Sequence, residues 1–366
     1  MKIGIINEKK DNRVAIVPDL VKKLIDEGNE IIAEKGCGAS ALYDDQSYQE
    51  AGAKLSSRND VLQSSALICS IIPLEKEDYK LLPEDAIVIS SFQPYHNLDQ
   101  TEVAVTKKLT VFSMDMIPRI TLAQAMDVLS SMASIAGYKA VITAANHLPK
   151  YFPMLTTAAG SIPPAKVLVM GAGVAGLQAV ATAKRLGSVV QAFDTRAAAK
   201  EEVQSLGAKF VEVEGAKDDK AAGGYAVEQT EEYKQKQRDK IFEEAVKADV
   251  IITTAQLRGK PAPTLITKEM VAQMKNGSVI IDIASSTGGN CELTEDQKTV
   301  VKNGVTIIGN SELAADVPNH ASQLFSKNVH NFIKTFLKEG KAEIDLENEI
   351  LKSSCIVSDG KLVYEK

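Results

Sequence analysis

The chain has 366 residues, of which 45% are hydrophobic and 25% charged, and its formal net charge is −6. A negative balance without basic clusters excludes the surface that nucleic acids require, so we expect no nucleic-acid partner. The length exceeds what one compact core usually holds, which predicts two domains.

The first 115 residues alternate short apolar runs with helical patterns, which predicts a mostly parallel sheet covered by helices. Predicted strands lie at 3–6, 30–33, 66–72, 86–90 and 109–113, and predicted helices at 18–27, 44–51 and 98–107. Residues 119–147 continue as one unbroken helical pattern, which we interpret as a connector between the domains. A loop at 151–164 leads into the second domain.

The second half of the chain predicts strands at 166–170, 189–193, 209–211, 249–253, 278–283 and 305–308. A helix over 320–338 and short strands at 355–358 and 362–364 follow, and we expect this tail to return to the first domain. The predicted fold class is therefore α/β, with two Rossmann-like doubly wound domains joined by a long connector helix. The first domain comprises 1–125 plus 318–366, and the second comprises 126–317.

Targeting, membrane and metal signals are weak in this sequence. The strand pattern starts at Met1, so we expect no signal peptide, and the longest uncharged run, 167–183, is too short and too rich in glycine for a membrane span. The four cysteines are far apart and predict reduced, buried thiols. Neither they nor the four histidines have ligand spacing, so we expect no metal site.

The most informative motif begins where the apolar run 166–170 ends. Gly171, Gly173 and Gly176 have the spacing G-x-G-x-x-G, and Asp194 closes the next strand 23 positions after the first glycine. Such glycines allow a tight turn, close approach of a pyrophosphate and close helix packing, and the acidic residue accepts the ribose hydroxyls. The motif predicts NAD(H) binding. Arg196 is either a contact that admits NADP or a solvated charge on the loop.

A polar, glycine-bearing segment at about 214–239 is long for an α/β connection. Loops of this length in compact domains are usually functional or disordered. From composition alone it is either a solvated excursion or a mobile flap, with Gly223 and Gly224 as a hinge and Tyr225 closing on a ligand.

The motifs together resemble the NAD(H)-binding alpha subunit (domain I) of proton-translocating nicotinamide nucleotide transhydrogenase, nearly end to end. The matching strings are RVAIVP at 13–18, PRITLAQAMD at 118–127, LSSMASIAGY at 129–138, GAGVAG at 171–176, AFDTR at 192–196, AGGY at 222–225, TT at 253–254, GKPAP at 259–263 and GGNCE at 288–292. The resemblance favours the mobile-flap interpretation of 214–239.

This resemblance implies direct hydride transfer from NADH to NADP⁺ held on a partner domain, coupled to proton translocation. NAD(H) is then a substrate, NADP(H) lies on the partner, and no metal is involved. The implied partners are a second copy in a homodimer, the NADP(H)-binding domain of a beta subunit, and membrane-domain subunits. The implied location is the cytoplasmic face of an energy-transducing membrane, held there through those partners.

The resemblance implies binding groups rather than an acid, a base or a nucleophile. Gln124 would position the nicotinamide, and Asp127 and Ser130 would bind its ribose or amide, all three near one face of the 119–147 helix. The remaining implied contacts are Arg119, Ala125 and Met126 in the same segment, Gly171, Gly173, Val174, Gly176, Asp194, Thr195 and Arg196 around the pyrophosphate and adenosine ribose, and Gly224, Tyr225, Gln237 and Gln256 in the loop or adenine region.

Two departures and two alternatives remain. Thr121-Leu122 stands where the family often has a basic residue, and Gln256-Leu257-Arg258 departs from the family's usual Leu-Ile-Pro. The nearest alternative is alanine dehydrogenase, to which Arg13 and His96 are similar, although the segment 69–73 lacks the substrate lysine of that enzyme. The other alternative is a module that only binds a dinucleotide.

Overall fold

The computed structural model describes residues 1–95, 101–213, 230–256 and 259–364. The chain forms two compact units, Met1–Met132 with Ala315–Lys366, and Ala133–Ala314. The first division falls inside a helix at residues 132/133, whereas the sequence placed it at 125/126.

The first unit alternates strands and helices as far as residue 113. Its elements are β1 (Lys2–Ile5), α1 (Pro18–Asp26), β2 (Glu30–Glu34), α2 (Asp45–Glu50), β3 (Lys54–Ser56), α3 (Arg58–Ser64), β4 (Leu67–Cys69), α4 (Lys76–Leu81), β5 (Ile87–Ser90), α5 (Thr101–Thr106) and β6 (Thr110–Ser113). Three-residue 3-10 turns occupy Ala39–Ala41 and Met114–Met116, and a longer one occupies Thr121–Met126.

Helix α6 (Val128–His147) follows, so the predicted unbroken helix over 119–147 is wrong. The break lies at Asp127, whose backbone is extended (φ −73°, ψ 91°). Its carboxylate accepts hydrogen bonds from the backbone N–H (2.9 Å) and the hydroxyl (2.6 Å) of Ser130. Aspartate at a helix N-terminus satisfies an unpaired N–H in this way, which explains why α6 starts here.

The second unit contains a hairpin, a parallel sheet and its covering helices. Its elements are β7 (Leu155–Thr157), β8 (Gly160–Ile162), β9 (Lys166–Met170), α7 (Val174–Arg185), β10 (Val189–Phe193), α8 (Ala199–Ser205), β11 (Lys209–Phe210), α9 (Glu231–Ala245), β12 (Val250–Thr253), α10 (Lys268–Gln273), β13 (Val279–Asp282), a 3-10 turn (Ser285–Thr287), β14 (Lys298–Lys302) and β15 (Val305–Gly309). Helix α9 covers 231–239, which the sequence had assigned to a loop, because Thr230 caps it through Tyr233 N–H.

The tail belongs to the first unit. It contains α11 (Pro318–Ile333), β16 (Leu337–Lys338), β17 (Lys341–Ala342), α12 (Glu349–Ser354), β18 (Cys355–Ser358) and β19 (Lys361–Leu362). Strand β18 pairs antiparallel with β6, which adds the tail to the first sheet.

Both main sheets have the strand order typical of doubly wound folds. The first runs β3-β2-β1-β4-β5-β6-β18-β19, parallel through β6, and the second runs β11-β10-β9-β12-β13-β15-β14, parallel except for β14. Successive residues of β9 enter opposite cores, with Val167 and Val169 on one face and Leu168 and Met170 on the other. Burial on both faces explains why this strand is apolar without alternation, and the predicted fold class is confirmed.

Helix α6 packs closely on α7 within the second unit. A Cβ on Gly137 would lie 2.0 Å from the carbonyl oxygen of Ala175, so glycine is required at this approach. Among the described residues, α6 is long and apolar enough to cross a membrane by length and composition alone. Core helices of soluble proteins meet the same test.

Candidate dinucleotide-binding site

The glycine-rich turn joins the carboxyl end of β9 to the start of α7. Gly171 has φ +101°, a conformation that favours glycine, and its N–H donates to the carbonyl of Phe193 (2.8 Å). A Cβ on Gly176 would lie 1.8 Å from the carbonyl oxygen of Gly171. The geometry therefore requires glycine at both positions, because the helix otherwise could not approach the turn.

Gly173 differs from its two neighbours because the space around it is open. A Cβ there would meet no atom within 4 Å, and Gly173 immediately precedes the first turn of α7. Val174 begins that turn and is exposed. The first N–H groups of a helix lack intrahelical partners and carry positive dipole charge, so this end of α7 suits a pyrophosphate.

Thr254 fixes the turn from the neighbouring strand and is a residue that sequence reasoning missed as a site residue. It follows β12, its N–H donates to the carbonyl of Met170 (2.9 Å), and its hydroxyl lies 3.1 Å from the carbonyl oxygen of Gly171. The string Thr253-Thr254 gave a family signal, but its position far along the chain from the glycines predicted no contact. Thr254 holds the tight turn in shape.

Asp194 lies at the carboxyl end of β10, next to the turn. Its carboxylate accepts a hydrogen bond from the N–H of Ala172 (2.7 Å), and it also forms an ion pair with Arg196 (3.0 Å). Thr195 between them is exposed. The structure thus brings the acidic residue and the glycine turn together in the arrangement that ribose recognition needs.

A buried network supports the loop after β12. Asp282, fully buried, accepts hydrogen bonds from the N–H groups of Ala284, Asn290 and Cys291 (2.8 to 3.0 Å). The side chain of Asn290, also fully buried, binds both the N–H and the carbonyl of Ala255 and the carbonyl of Pro263 (2.8 to 3.0 Å). These contacts position the segment that precedes Gln256, and neither residue was a sequence-derived candidate.

The remaining candidates of this unit are placed differently. The side chain of Gln256 approaches the carbonyl of Ile283 at the end of β13 (3.4 Å), which is across β9 and β12 from Asp194. Gln237 lies on helix α9 and is half-buried. Gly224 and Tyr225, with the hinge of the expected flap, and Leu257-Arg258 lie outside the described residues.

In the first unit, Gln124 and Asp127 lie on either side of a helix break. The expectation that Gln124, Asp127 and Ser130 share one helical face is therefore wrong, because Gln124 belongs to the preceding 3-10 turn. The structure does bring Asp127 and Ser130 together, through the two hydrogen bonds that start α6. Gln124 is exposed, so its amide points away from the core.

This 3-10 turn is held firmly at its base. The carbonyl of Ala125 accepts hydrogen bonds from Asn328 (2.9 Å) and Asn331 (3.0 Å) of α11. The side chain of Met126 packs in the core, so only its backbone is available to a ligand. Arg119 is exposed and, within the described ranges, has no ion-pair partner, which leaves its charge accessible.

The residues that an amino-acid dehydrogenase would use are arranged differently here. Arg13 is buried and forms an ion pair with Asp11, with 2.9 Å between Nε and Oδ1. Ile71 and Cys69 occupy the two lysine positions of the segment 69–73, and the N–H of Ile71 donates to the Glu8 carboxyl (2.6 Å). Burial raises the pKa of Glu8 to about 8. His96 lies outside the described residues.

Two other features of the described chain carry no ligand assignment. A cavity of about 160 Å³ lies outside the carboxyl ends of β1 and β4, but its charged side chains pair with one another, as Arg58 does with Asp78 (2.7 Å). The cysteines are free and buried, as predicted. Within the described ranges no group of three or more His, Cys, Asp or Glu could hold a metal ion.

The chain matches two family models along most of its length. These are the alanine dehydrogenase/PNT N-terminal domain over residues 4–136 and the alanine dehydrogenase/PNT C-terminal domain over residues 140–365. The first of the polypeptides that make up the NAD(P) transhydrogenase subunit alpha of Rhodospirillum rubrum is 46% identical over 376 residues, which cover 100% of this chain and 98% of that protein. An alanine dehydrogenase of Staphylococcus haemolyticus is 25% identical and covers 100% of this chain and 95% of that protein. The crystal structure of transhydrogenase from Sinorhizobium meliloti superposes with a TM-score of 0.92 at 40% identity, covering 99% of this chain and 100% of that one.

Proposed function

The chain belongs to the alanine dehydrogenase/PNT family, within which it groups with transhydrogenase alpha subunits, and we propose that it is the NAD(H)-binding component of a proton-translocating transhydrogenase. In this proposal NADH bound to this chain passes hydride directly to NADP⁺ on the beta-subunit partner. Membrane-domain subunits couple that transfer to proton movement and hold this chain at the cytoplasmic face. NAD(H) is then a substrate.

The observation that carries the proposal is the array at the carboxyl edge of the second sheet. The open space at Gly173, the unpartnered N-terminus of α7 and the carboxylate of Asp194 follow one another in the order of pyrophosphate and ribose. Asp194 favours NAD(H) because its charge opposes a 2′-phosphate.

The chemistry proposed for these residues is positioning, without proton transfer. Hydride transfer between two nicotinamide rings exchanges no proton at carbon, so alignment and exclusion of water account for the rate. Gln124 is the residue proposed to align the ring, since its exposed amide projects from a turn that Asn328 and Asn331 hold in place. Arg119, Asp127 and Ser130 are proposed as neighbouring contacts, and Tyr225 as the group of the flap.

A homodimer is also included in the proposal. Strands β7 and β8 form a two-stranded sheet of their own whose residues are largely exposed, and Met154 and Ile162 beside it are exposed apolar side chains. An isolated hairpin is marginally stable in water, so a second copy that covers it would account for this surface. Ile162→Asp is then expected to shift the sedimentation coefficient toward the monomer.

The decisive test mixes the purified chain with the NADP(H)-binding domain of a transhydrogenase beta subunit. Hydride exchange from NADH to an NADP⁺ analogue with a distinct absorption reports the reaction. We expect Gln124→Asn to lower the exchange rate strongly and to change NADH affinity little, because alignment rather than ground-state binding is lost. Gln63→Asn, an exposed glutamine on α3, is the matched control. Equal losses of rate and affinity would contradict the role of Gln124.

The same mixture separates the alternatives. Exchange that never rises above background would favour a pure binding module. Oxidation of NADH by the chain alone with pyruvate and ammonia would favour an alanine dehydrogenase, but the Arg13–Asp11 pair and the apolar Ile71 argue against an amino-acid carboxylate site.

A further inference from the structure

The carboxylate of Asp194 is fully occupied by donors from its own chain. It accepts hydrogen bonds from the N–H of Ala172 (2.7 Å) and from the N–H (2.8 Å), Nε (3.0 Å) and Nη2 (3.1 Å) of Arg196. A carboxylate has about four acceptor positions. The hydroxyls of a bound ribose therefore cannot donate to Asp194 unless one of these donors leaves.

Only the guanidinium can leave without a change in the fold. The N–H of Ala172 belongs to the glycine-rich turn, and the N–H of Arg196 is fixed by the backbone that follows β10. The side chain of Arg196 is 35% exposed, whereas that of Asp194 is 9% exposed. Rotation about the flexible stem of Arg196 would free two acceptor positions, which is the number that the 2′- and 3′-hydroxyls of a ribose need.

A released guanidinium beside a ribose is a phosphate-binding group. Its planar fork matches a phosphate and donates two parallel hydrogen bonds. In the structure that fork is turned onto Asp194 instead. One ion pair thus contains both a group that rejects a 2′-phosphate and a group that would accept it.

We propose that Arg196 is a specificity-determining residue, whose pairing with Asp194 withholds it from a nucleotide 2′-phosphate and makes it compete with the ribose of NADH. The inference rests on the proposed function, since it requires that Asp194 meets a dinucleotide ribose. Two opposite effects follow. Loss of the Asp194 charge transfers Arg196 to the 2′-phosphate, and loss of the Arg196 charge exposes Asp194 to the ribose.

The test is a double-mutant cycle on the full chain, with Asp194→Asn, Arg196→Gln and the double variant. Dissociation constants for NADH and NADPH are measured by nucleotide fluorescence. We expect Asp194→Asn to bind NADPH at least about tenfold more tightly than the parent, the strength of a charge-assisted hydrogen bond. The double variant should lose that gain. Arg196→Gln alone should bind NADH about two- to fivefold more tightly, the strength of a partly exposed ion pair.

The matched control is Arg185→Gln, which removes one positive charge at the far end of α7 from the glycine turn. It should change neither dissociation constant. Equal NADPH affinity in Asp194→Asn and in the double variant would overturn the proposal, as would a loss of NADH affinity in Arg196→Gln. If Asp194→Asn does not fold, Asp194→Ser replaces it and Arg196→Gln still decides the competition. Failure of the parent chain to bind NADH would instead overturn the proposed function.

Discussion

The buried carboxyl of Glu8 predicts that this protein loses stability as the pH rises. Glu8 is 7% exposed, and burial raises its pKa to about 8, with a further increase from Asp11. The N–H of Ile71 and the charge of Arg13 lower the pKa but do not offset burial. In the unfolded chain a glutamate has a pKa of about 4.3.

The sign and size of the effect follow from proton linkage. Below about pH 4.3 both states hold the proton, and between there and about pH 8 only the folded state does. The free energy of unfolding therefore falls by about 1.4 kcal/mol per pH unit across this window, and by up to about 5 kcal/mol in all. Glu8→Gln removes the titration and keeps an oxygen that accepts the 2.6 Å hydrogen bond from Ile71.

Calorimetric melting of the parent and Glu8→Gln at several pH values measures this effect. For a unit of this size about 1 kcal/mol shifts the midpoint by about 2–4 °C, so the variant should melt about 2 °C higher at about pH 5 and about 10 °C higher at about pH 8.5. Glu102→Gln, an exposed glutamate on α5, controls for the change in net charge. A difference between parent and Glu8→Gln that stays constant with pH would refute the reasoning.

Three further predictions concern the candidate site. Gly173→Ala should change stability by less than about 1 kcal/mol, because its Cβ meets open space, yet weaken NADH binding; Gly176→Ala should lower both melting point and affinity, and equal behaviour of the two would be contradictory. Asn290→Ala should cost about 3 kcal/mol in urea unfolding, since three buried backbone groups lose their partner, and a cost under about 1 kcal/mol would count against the network. Asp127→Asn should keep the cap of α6, because asparagine caps equally well, so a loss of NADH affinity without a loss of melting temperature would assign Asp127 to the ligand, and unchanged affinity would leave it a capping residue.

The sheets were predictable where burial on both faces leaves a continuous apolar run. Strand β9 is such a case, and its sequence limits match the observed Lys166–Met170. Strand β14 (Lys298–Lys302) was missed because it is a largely exposed, polar strand at the sheet edge. Hairpin β7-β8 was assigned to a loop for the same reason, since almost all of its residues are exposed. Edge strands depend on their neighbours and leave little periodic signal.

Helix ends were the other limit on the sequence analysis. The apolar spacing of 119–147 predicted one helix, but spacing does not register a capping residue inside a pattern. Asp127 ends the 3-10 turn and starts α6, which separates Gln124 from Ser130. An aspartate followed three positions later by serine is a local capping signal that could have located the break.

The glycine turn was predictable because its causes are local, whereas its supports come from far along the chain. Gly171 and Gly176 are set by the turn itself, and Asp194 by the next strand. Thr254 and Asn290 reach the same region only because the parallel sheet brings the carboxyl ends of β9, β12 and β13 together. No spacing rule in one sequence contains that information.

The pairing of charges within each unit gives the strongest argument about the kind of chemistry. Arg13, the cation that an amino-acid carboxylate would need, is buried against Asp11, and Ile71 leaves Glu8 without a lysine. Arg196 is likewise held by its own chain, on Asp194. A site whose cations are committed in this way is poorly suited to capture a small anionic substrate, but it suits a dinucleotide whose phosphates are met by the helix N-terminus behind Gly173. The same arrangement requires that the second reactant be supplied by another polypeptide, so the activity of this chain should depend on the concentration of that partner.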